Sequence, residues 1–285
     1  MKCRYQSILA IAALAAFPVH SRAAITLGTA ANFDVLAGTA IANTGPSIFD
    51  GGDIGVSPGF AITGFPPGVV TPPYTEHTGD AVAVQAQSDL AKAYAAAAGL
   101  APNQDLTGQN LGGLVLTPGV YSFSSSAQLT GILTLNDLGD ANAQFVFQID
   151  STLTTAPGSS VVTINGGATP SYNDFFQVGS SATLNAGTNF EGHILALTSI
   201  TLDTGANILD GSALAENGAV TLDTNNITNF VPANGTGGSG NPTAAPSPTP
   251  LLGGLAMFGM LAFVFHSKQK LSPVSDSPRR PLRLQ

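Results

Sequence analysis

The sequence predicts a mainly β fold of the solenoid kind with one long helix, and three observations predict it. Ser180-Ser181-Ala182-Thr183-Leu184, Thr198-Ser199-Ile200-Thr201-Leu202 and Gly218-Ala219-Val220-Thr221-Leu222 repeat one pattern, with the threonines 18 and 20 residues apart. Apolar and polar residues alternate through short segments bounded by Gly, Asn, Asp and Pro, among them 131–135, 144–149 and 175–178, as half-buried strands require. One stretch, 80–98, has helical spacing instead. A repeat near 20 residues with one strand per period suits stacked β-coils, each resting on the next at about 4.8 Å. Ser151-Thr152-Leu153-Thr154 reads as a further, degenerate copy.

Residues 1–23 read as a signal peptide. Lys2 and Arg4 precede the apolar run 8–17, Pro18 breaks it, and Ser21 and Ala23 put small residues at a cleavage site before Ala24. An uncleaved anchor is the alternative. Cys3, the only cysteine, lies in this segment, so the mature protein is expected to have no disulfide and no cysteine-bound metal.

Residues 24–230 are expected to form one domain. Lys92 is its only basic residue, and every acidic residue except Asp276 falls within it. So negative a surface repels phosphate backbones and excludes nucleic acid as a partner, while it keeps an exported protein in solution. In the helix at 80–98, Val82, Ala86, Leu90, Ala93 and Ala97 share a face. Thr78 or Asp80 caps its start, Gly99 suits the C′ position and Pro102 blocks continuation. A face of such small residues should lie close against something flat.

Strand alternation sets the direction of each repeat residue. Ala182, Leu184, Ile200, Leu202, Val220 and Leu222 point inward. Thr183, Thr201 and Thr221 then point outward, with Ser181 and Ser199 beside them and Asn185, Asp203 and Asp223 adjoining the row. Outward threonine also follows from β-propensity on any solvated strand.

Residues 231–250 are rich in Pro, Gly, Ser, Thr and Asn and read as a flexible linker. The apolar run 251–265 follows, and then His266, Lys268 and Lys270. It is short for a membrane span, and its basic flank would set the C-terminus on the cytoplasmic side. Sorting to the cell surface and membrane anchoring through 251–265 are both expectations.

The domain resembles a known family. The segments that carry the likeness are Leu27-Gly28-Thr29-Ala30-Ala31-Asn32-Phe33, Asn43-Thr44-Gly45-Pro46, Gly52-Asp53-Ile54-Gly55-Val56-Ser57-Pro58-Gly59, Ile62-Thr63-Gly64-Phe65, Leu116-Thr117-Pro118-Gly119-Val120-Tyr121, Phe147-Gln148-Ile149-Asp150-Ser151-Thr152-Leu153-Thr154 and Glu191-Gly192-His193-Ile194-Leu195-Ala196. In this order they resemble the bacterial and fungal ice-binding proteins. The resemblance implies a right-handed, discontinuous, three-faced β-solenoid with the helix packed alongside, in which N-terminal coils stand beside C-terminal ones. It also implies an extracellular protein that adsorbs to ice or ordered water and inhibits ice growth and recrystallisation. Ser247-Pro248-Thr249-Pro250, the apolar run and the basic flank resemble a C-terminal sorting signal but lack its usual Glu.

Threonine carries a methyl and a hydroxyl on one stiff rotamer, and a solenoid would hold many of them at a repeated spacing. The expected ice-binding residues are Thr154, Thr183, Thr201 and Thr221, supported by Ser151, Ser181, Thr198 and Ser199. The alternative function is a cell-surface adhesin or structural module on the same fold. Glu191 and His193, read as sharing a face, and the Glu76-His77 pair lack a third catalytic partner. Catalytic residues, cofactors and metals are therefore not expected. Asp50 with Asp53, and Asn136-Asp137-Leu138-Gly139-Asp140, offer oxygen ligands for calcium but suit Asx turns at coil corners better. A monomer is expected.

Overall fold

The structure, a computed structural model, describes residues 25–166 and 173–229. The expected signal peptide, linker and apolar tail lie outside them. Among the described residues no helix is long and apolar enough to cross a membrane.

Parallel strands stack into coils, and each coil contributes to three faces. Along the first face run Gln104–Asp105, Gly119–Phe123, Phe145–Ile149 and Asp174–Val178. The ends of Asn189–Ala196 and Asn207–Ala215 follow, and then Phe33–Ala37, Asp53–Val56 and Glu76–Thr78. The second face orders Ala127–Leu129, Leu153–Thr155, Ala182–Leu184, Ile200–Leu202, Val220–Asp223, Ala40–Thr44 and Ala61–Thr63. The third face runs from Val115–Leu116 through Ile132–Asn136 and Ser160–Ile164 to the starts of Asn189–Ala196 and Asn207–Ala215. It ends with Asn226–Thr228, Ile48–Phe49 and Val69–Val70. The stack is therefore discontinuous: coils from the start of the domain are built onto the last coil of its end.

That order creates a topological problem, because Glu76–Thr78 and Gln104–Asp105 lie at opposite ends of the stack. The helix Ala81–Ala98 closes it. Its 18 residues cover about 27 Å, returning the chain along the first face. Both sides of its central strands are buried as a result, Phe145–Ile149 at every position, unlike the exposed end strands Gln104–Asp105 and Glu76–Thr78 and the alternating strands elsewhere.

Two apolar layers follow. Inside the coils, Tyr121, Phe147 and Phe176 stack with ring centroids 5.5 and 4.4 Å apart, and Phe190 tilts against Phe176 at 4.6 Å. Between helix and sheet, Ala86, Leu90, Ala93 and Ala97 meet Leu36, Val120, Val146, Phe175, Leu195 and Leu214. Alanine lets the helix approach closely, as its composition predicted. The first turn differs from expectation, since Ala83 is buried there and Val82 is 47% exposed. A step of three residues back from Ala86 keeps the face against the sheet, whereas a step of four rotates Val82 outward.

The helix start is capped by Asp80, which accepts from the Ala83 N–H at 2.9 Å. Its end departs from expectation. Gly99 has φ −83° rather than a left-handed conformation, and the last carbonyls are bound from the sheet. Gln148 Nε2 donates to Ala97 O at 2.8 Å and Leu100 O at 2.7 Å. This tertiary contact adds to the local bonds from the Gly99 N–H to Ala95 O and the Leu100 N–H to Ala97 O.

Candidate functional site

The repeats place their outward residues in parallel rows on the second face. Thr154 pairs with Thr183, Thr183 with Thr201 and Thr201 with Thr221. These four stand on successive strands without interruption, about 4.8 Å apart along the stack. Gln128 precedes them, and Ala42 and Thr63 continue the row. Their neighbours Leu153, Ala182, Leu184, Ile200, Leu202, Val220 and Leu222 are buried, so the core fixes which way the threonines point.

The row before it holds Ser126, Thr152, Ser181, Ser199, Ala219, Ala40 and Ala61, and neither row contains a charged residue. The two rows differ in hydrogen bonding. Ser181 Oγ accepts from the Ser199 N–H and Ser199 Oγ accepts from the Ala219 N–H, both at 3.3 Å. Thr152 Oγ1 donates to Ser126 Oγ at 2.9 Å. These hydroxyls tie one coil to the next. By contrast, the hydroxyls of Thr154, Thr183, Thr201 and Thr221 have no hydrogen-bond partner among the described residues. They are free to bond outward.

Ser151 and Thr198 stand elsewhere. Their backbones belong to the corner between first and second faces, where Ser180 N–H donates to Ser151 O and Thr198 N–H to Ser180 O, each at 2.9 Å. Thr152, not Ser151, stands in register with Ser181 and Ser199 two residues before the threonine row. The degenerate copy aligns with the others without a gap and differs at its end, where Thr155 replaces the repeat's Leu. Ala42 and Thr63 carry no repeat signature, and only strand pairing brings them to the face.

Charge stays out of both rows but reaches the edge of the face, where Asp223 ends the strand Val220–Asp223 and pairs with Thr44. Asp203 and Asp223 lie at the corner with the third face, where the Thr204 hydroxyl donates to Asp223 and Thr224 Oγ1 donates to it at 3.1 Å. The third face is mixed. Val115 (63%) and Ile132 (54%) are exposed there, and along the same face Asn207 Nδ2 donates to Asn189 Oδ1 at 3.1 Å while the Asn226 N–H donates to Asn207 Oδ1 at 2.9 Å.

The other sequence candidates separate in space. Glu191 and His193 do not share a face, because the strand turns a corner between them with a register shift and Gly192 at φ 110°. Glu191 accepts from the Thr163 N–H at 2.6 Å on the third face, whereas His193 is buried on the first against Phe175 and Ser212. Burial raises the Glu191 carboxyl, and burial raises Asp174 well above the usual carboxylate range, with Asp137 and Glu191 adding to it. Asn136 and Asp140 form Asx turns, accepting from the Leu138 and Asn142 N–H groups. Asp53 accepts from the Thr75 N–H at 2.8 Å. Among the described residues, no three His, Asp or Glu side chains are grouped to hold a metal ion.

A family model described as ice-binding-like matches residues 35–228. An ice-binding protein of Nostoc sp. (strain HG1) is 61% identical over 228 residues, which cover 79% of this chain and 82% of that protein. The crystal structure of an ice-binding protein from an Antarctic biological consortium aligns with TM-score 0.67 and 46% identity, covering 72% of this chain and 91% of the other. That of an ice-binding protein from the Antarctic ascomycete Antarctomyces psychrotrophicus aligns with TM-score 0.68 and 40% identity, covering 72% and 98%.

Proposed function

This chain belongs to the ice-binding-like family, and from that premise we propose that it adsorbs to ice through its second face and inhibits ice growth and recrystallisation. The observation that carries the reading is the uninterrupted register of Thr154, Thr183, Thr201 and Thr221, whose hydroxyls have no hydrogen-bond partner among the described residues.

Adsorption to ice needs no bond to be made or broken. It needs a rigid, weakly hydrated surface on which methyl groups and hydroxyls hold water in a lattice-like array. The β-branched threonine side chain has few rotamers to lose, and the buried leucines beneath restrict the backbone. Each contact contributes little, so affinity depends on many groups being ordered beforehand. A carboxylate within the array would bind its own water shell, and both rows lack one.

The protein acts outside the cytoplasm in this reading, exported by residues 1–23 and displayed through the linker and tail. It acts as a monomer and without catalysis. The test is ice-affinity partitioning of the full chain beside Thr183→Tyr and Thr201→Tyr. The wild type should enter growing ice while both variants stay in the liquid. Exclusion of all three would favour a surface structural module on the same fold.

A further inference from the structure

The threonine row crosses a seam in the chain. Thr221 belongs to the last C-terminal coil, and its partner Ala42, followed by Thr63, belongs to the first N-terminal ones. No peptide bond joins these coils locally, so their alignment depends on what is bonded across the seam.

A buried relay lies there. Asn225 Nδ2 donates to Ala206 O at 2.7 Å and to Asp203 O at 2.9 Å, reaching the coil before. The Asn225 N–H donates to Ser47 Oγ at 2.9 Å, and the Ser47 hydroxyl donates to Asn43 Oδ1 at 2.5 Å. Asn43 Nδ2 then donates to Gly64 O in the next coil and to Gly45 O, each at 2.9 Å. Ser47, Asn225 and Asn43 are all buried. Ser47 is the member that joins the two halves.

The choice of residues is informative. Asn43 pairs with Leu222 and takes an inward position that Leu184, Leu202 and Leu222 fill in the C-terminal coils. An asparagine buried in place of leucine is unfavourable unless its polar atoms are bonded. Here they are bonded in one geometry only, which specifies the register of the coils where hydrophobic packing would tolerate a shift.

We propose that Ser47 is a positioning residue that holds Ala42 and Thr63 in line with Thr221, so that the adsorbing surface continues across the seam onto the N-terminal coils. The proposal rests on ice adsorption through the second face. Ala42 and Thr63 then touch ice, and Ser47 acts only through them.

The test measures thermal hysteresis of the full chain, with circular dichroism at the assay temperature to establish folding. Ala42→Tyr, at an exposed position, should lose at least about half of the wild-type hysteresis, the remainder coming from threonines beyond the seam. Ser47→Ala should lose a similar share, yet cause no further loss when added to Ala42→Tyr. A general structural role would lower activity by the same factor in both backgrounds. If Ser47→Ala does not fold, Ser47→Cys, which keeps the volume and a weak donor, replaces it in the same cycle. Wild-type hysteresis in Ala42→Tyr, an unchanged single Ser47 variant, or equal losses in both backgrounds each overturn the proposal. Thr201→Tyr separates the two readings: if it keeps full activity, adsorption through this face fails altogether.

Discussion

Thr221 and Ala42 stand opposite each other on adjacent parallel strands, although they come from the two ends of the domain's sequence. Beneath them Val220 pairs with Ile41, and both are fully buried. The solenoid is thus completed by contacts of the longest sequence separation, and without the N-terminal coils the strand Val220–Asp223 would present an open edge.

Contact across this seam should be measurable as coupling. Ile41→Ala and Val220→Ala should each cost about 2 kcal/mol or more. Together they should cost less than their sum by at least about 0.5 kcal/mol, because the second removes contacts the first has already lost. Urea denaturation of the four proteins checks this.

The aromatic stack makes a second prediction. Phe147 lies between Tyr121 and Phe176 with no exposed surface. Phe147→Ala should cost about 3–5 kcal/mol, whereas Phe147→Leu should cost much less by keeping most of the volume. Equal losses in denaturant midpoint would contradict the stacked geometry.

Asp89 ties the helix to the start of the domain. Its Oδ2 accepts from the Thr29 N–H at 3.1 Å and the Thr29 hydroxyl at 2.8 Å, and its Oδ1 accepts from Lys92 Nζ at 2.8 Å. The Lys92 ammonium, then the Thr29 donors, hold its carboxyl well below the usual carboxylate range. A depressed folded pKa contributes stability above the unfolded value near 4 and loses it as pH falls towards the folded value. Asp89→Asn should therefore lower stability by about 1–2 kcal/mol at pH 7. The gap from wild type should narrow below pH 4, as followed by thermal melts.

Asp34 has the opposite sign. Burial pushes its carboxyl up to about 8, with the Gly52 amide offsetting this in part and Asp50 and Asp53 adding to it. Among the described residues neither oxygen reaches a partner with normal hydrogen-bond geometry. Between about pH 4 and 8 the folded protein holds a proton that the unfolded chain has released, so stability falls as pH rises through this window. Asp34→Asn should flatten that slope and be more stable than wild type at pH 9. A variant with an unchanged slope would place the titration elsewhere.

Much of this was legible in residues with a repeated setting. The spacing of Thr183, Thr201 and Thr221 revealed both the coils and the outward row, because each threonine sits between two core residues. Ala86, Leu90, Ala93 and Ala97 revealed a helix meant for close contact. What local pattern missed depends on contacts remote in sequence. Gln148 capping the helix could not be read from residues near Gly99. The corner at Gly192 separates Glu191 from His193 because a bulge is a matter of pairing, which alternation alone does not report. Thr63 lies in a segment that carries the family likeness and Ala42 directly precedes another, yet nothing near them points to a row whose other members lie at the far end of the domain.

The most direct test compares one large side chain on two faces. Thr201→Tyr blocks the middle of the threonine row, and Ile132→Tyr adds similar bulk to the third face, where Ile132 is already 54% exposed. Thermal hysteresis should collapse in Thr201→Tyr and stay at the wild-type level in Ile132→Tyr, with both proteins folded by circular dichroism. Full hysteresis in Thr201→Tyr, or an equal fall in both, would contradict adsorption through the threonine face.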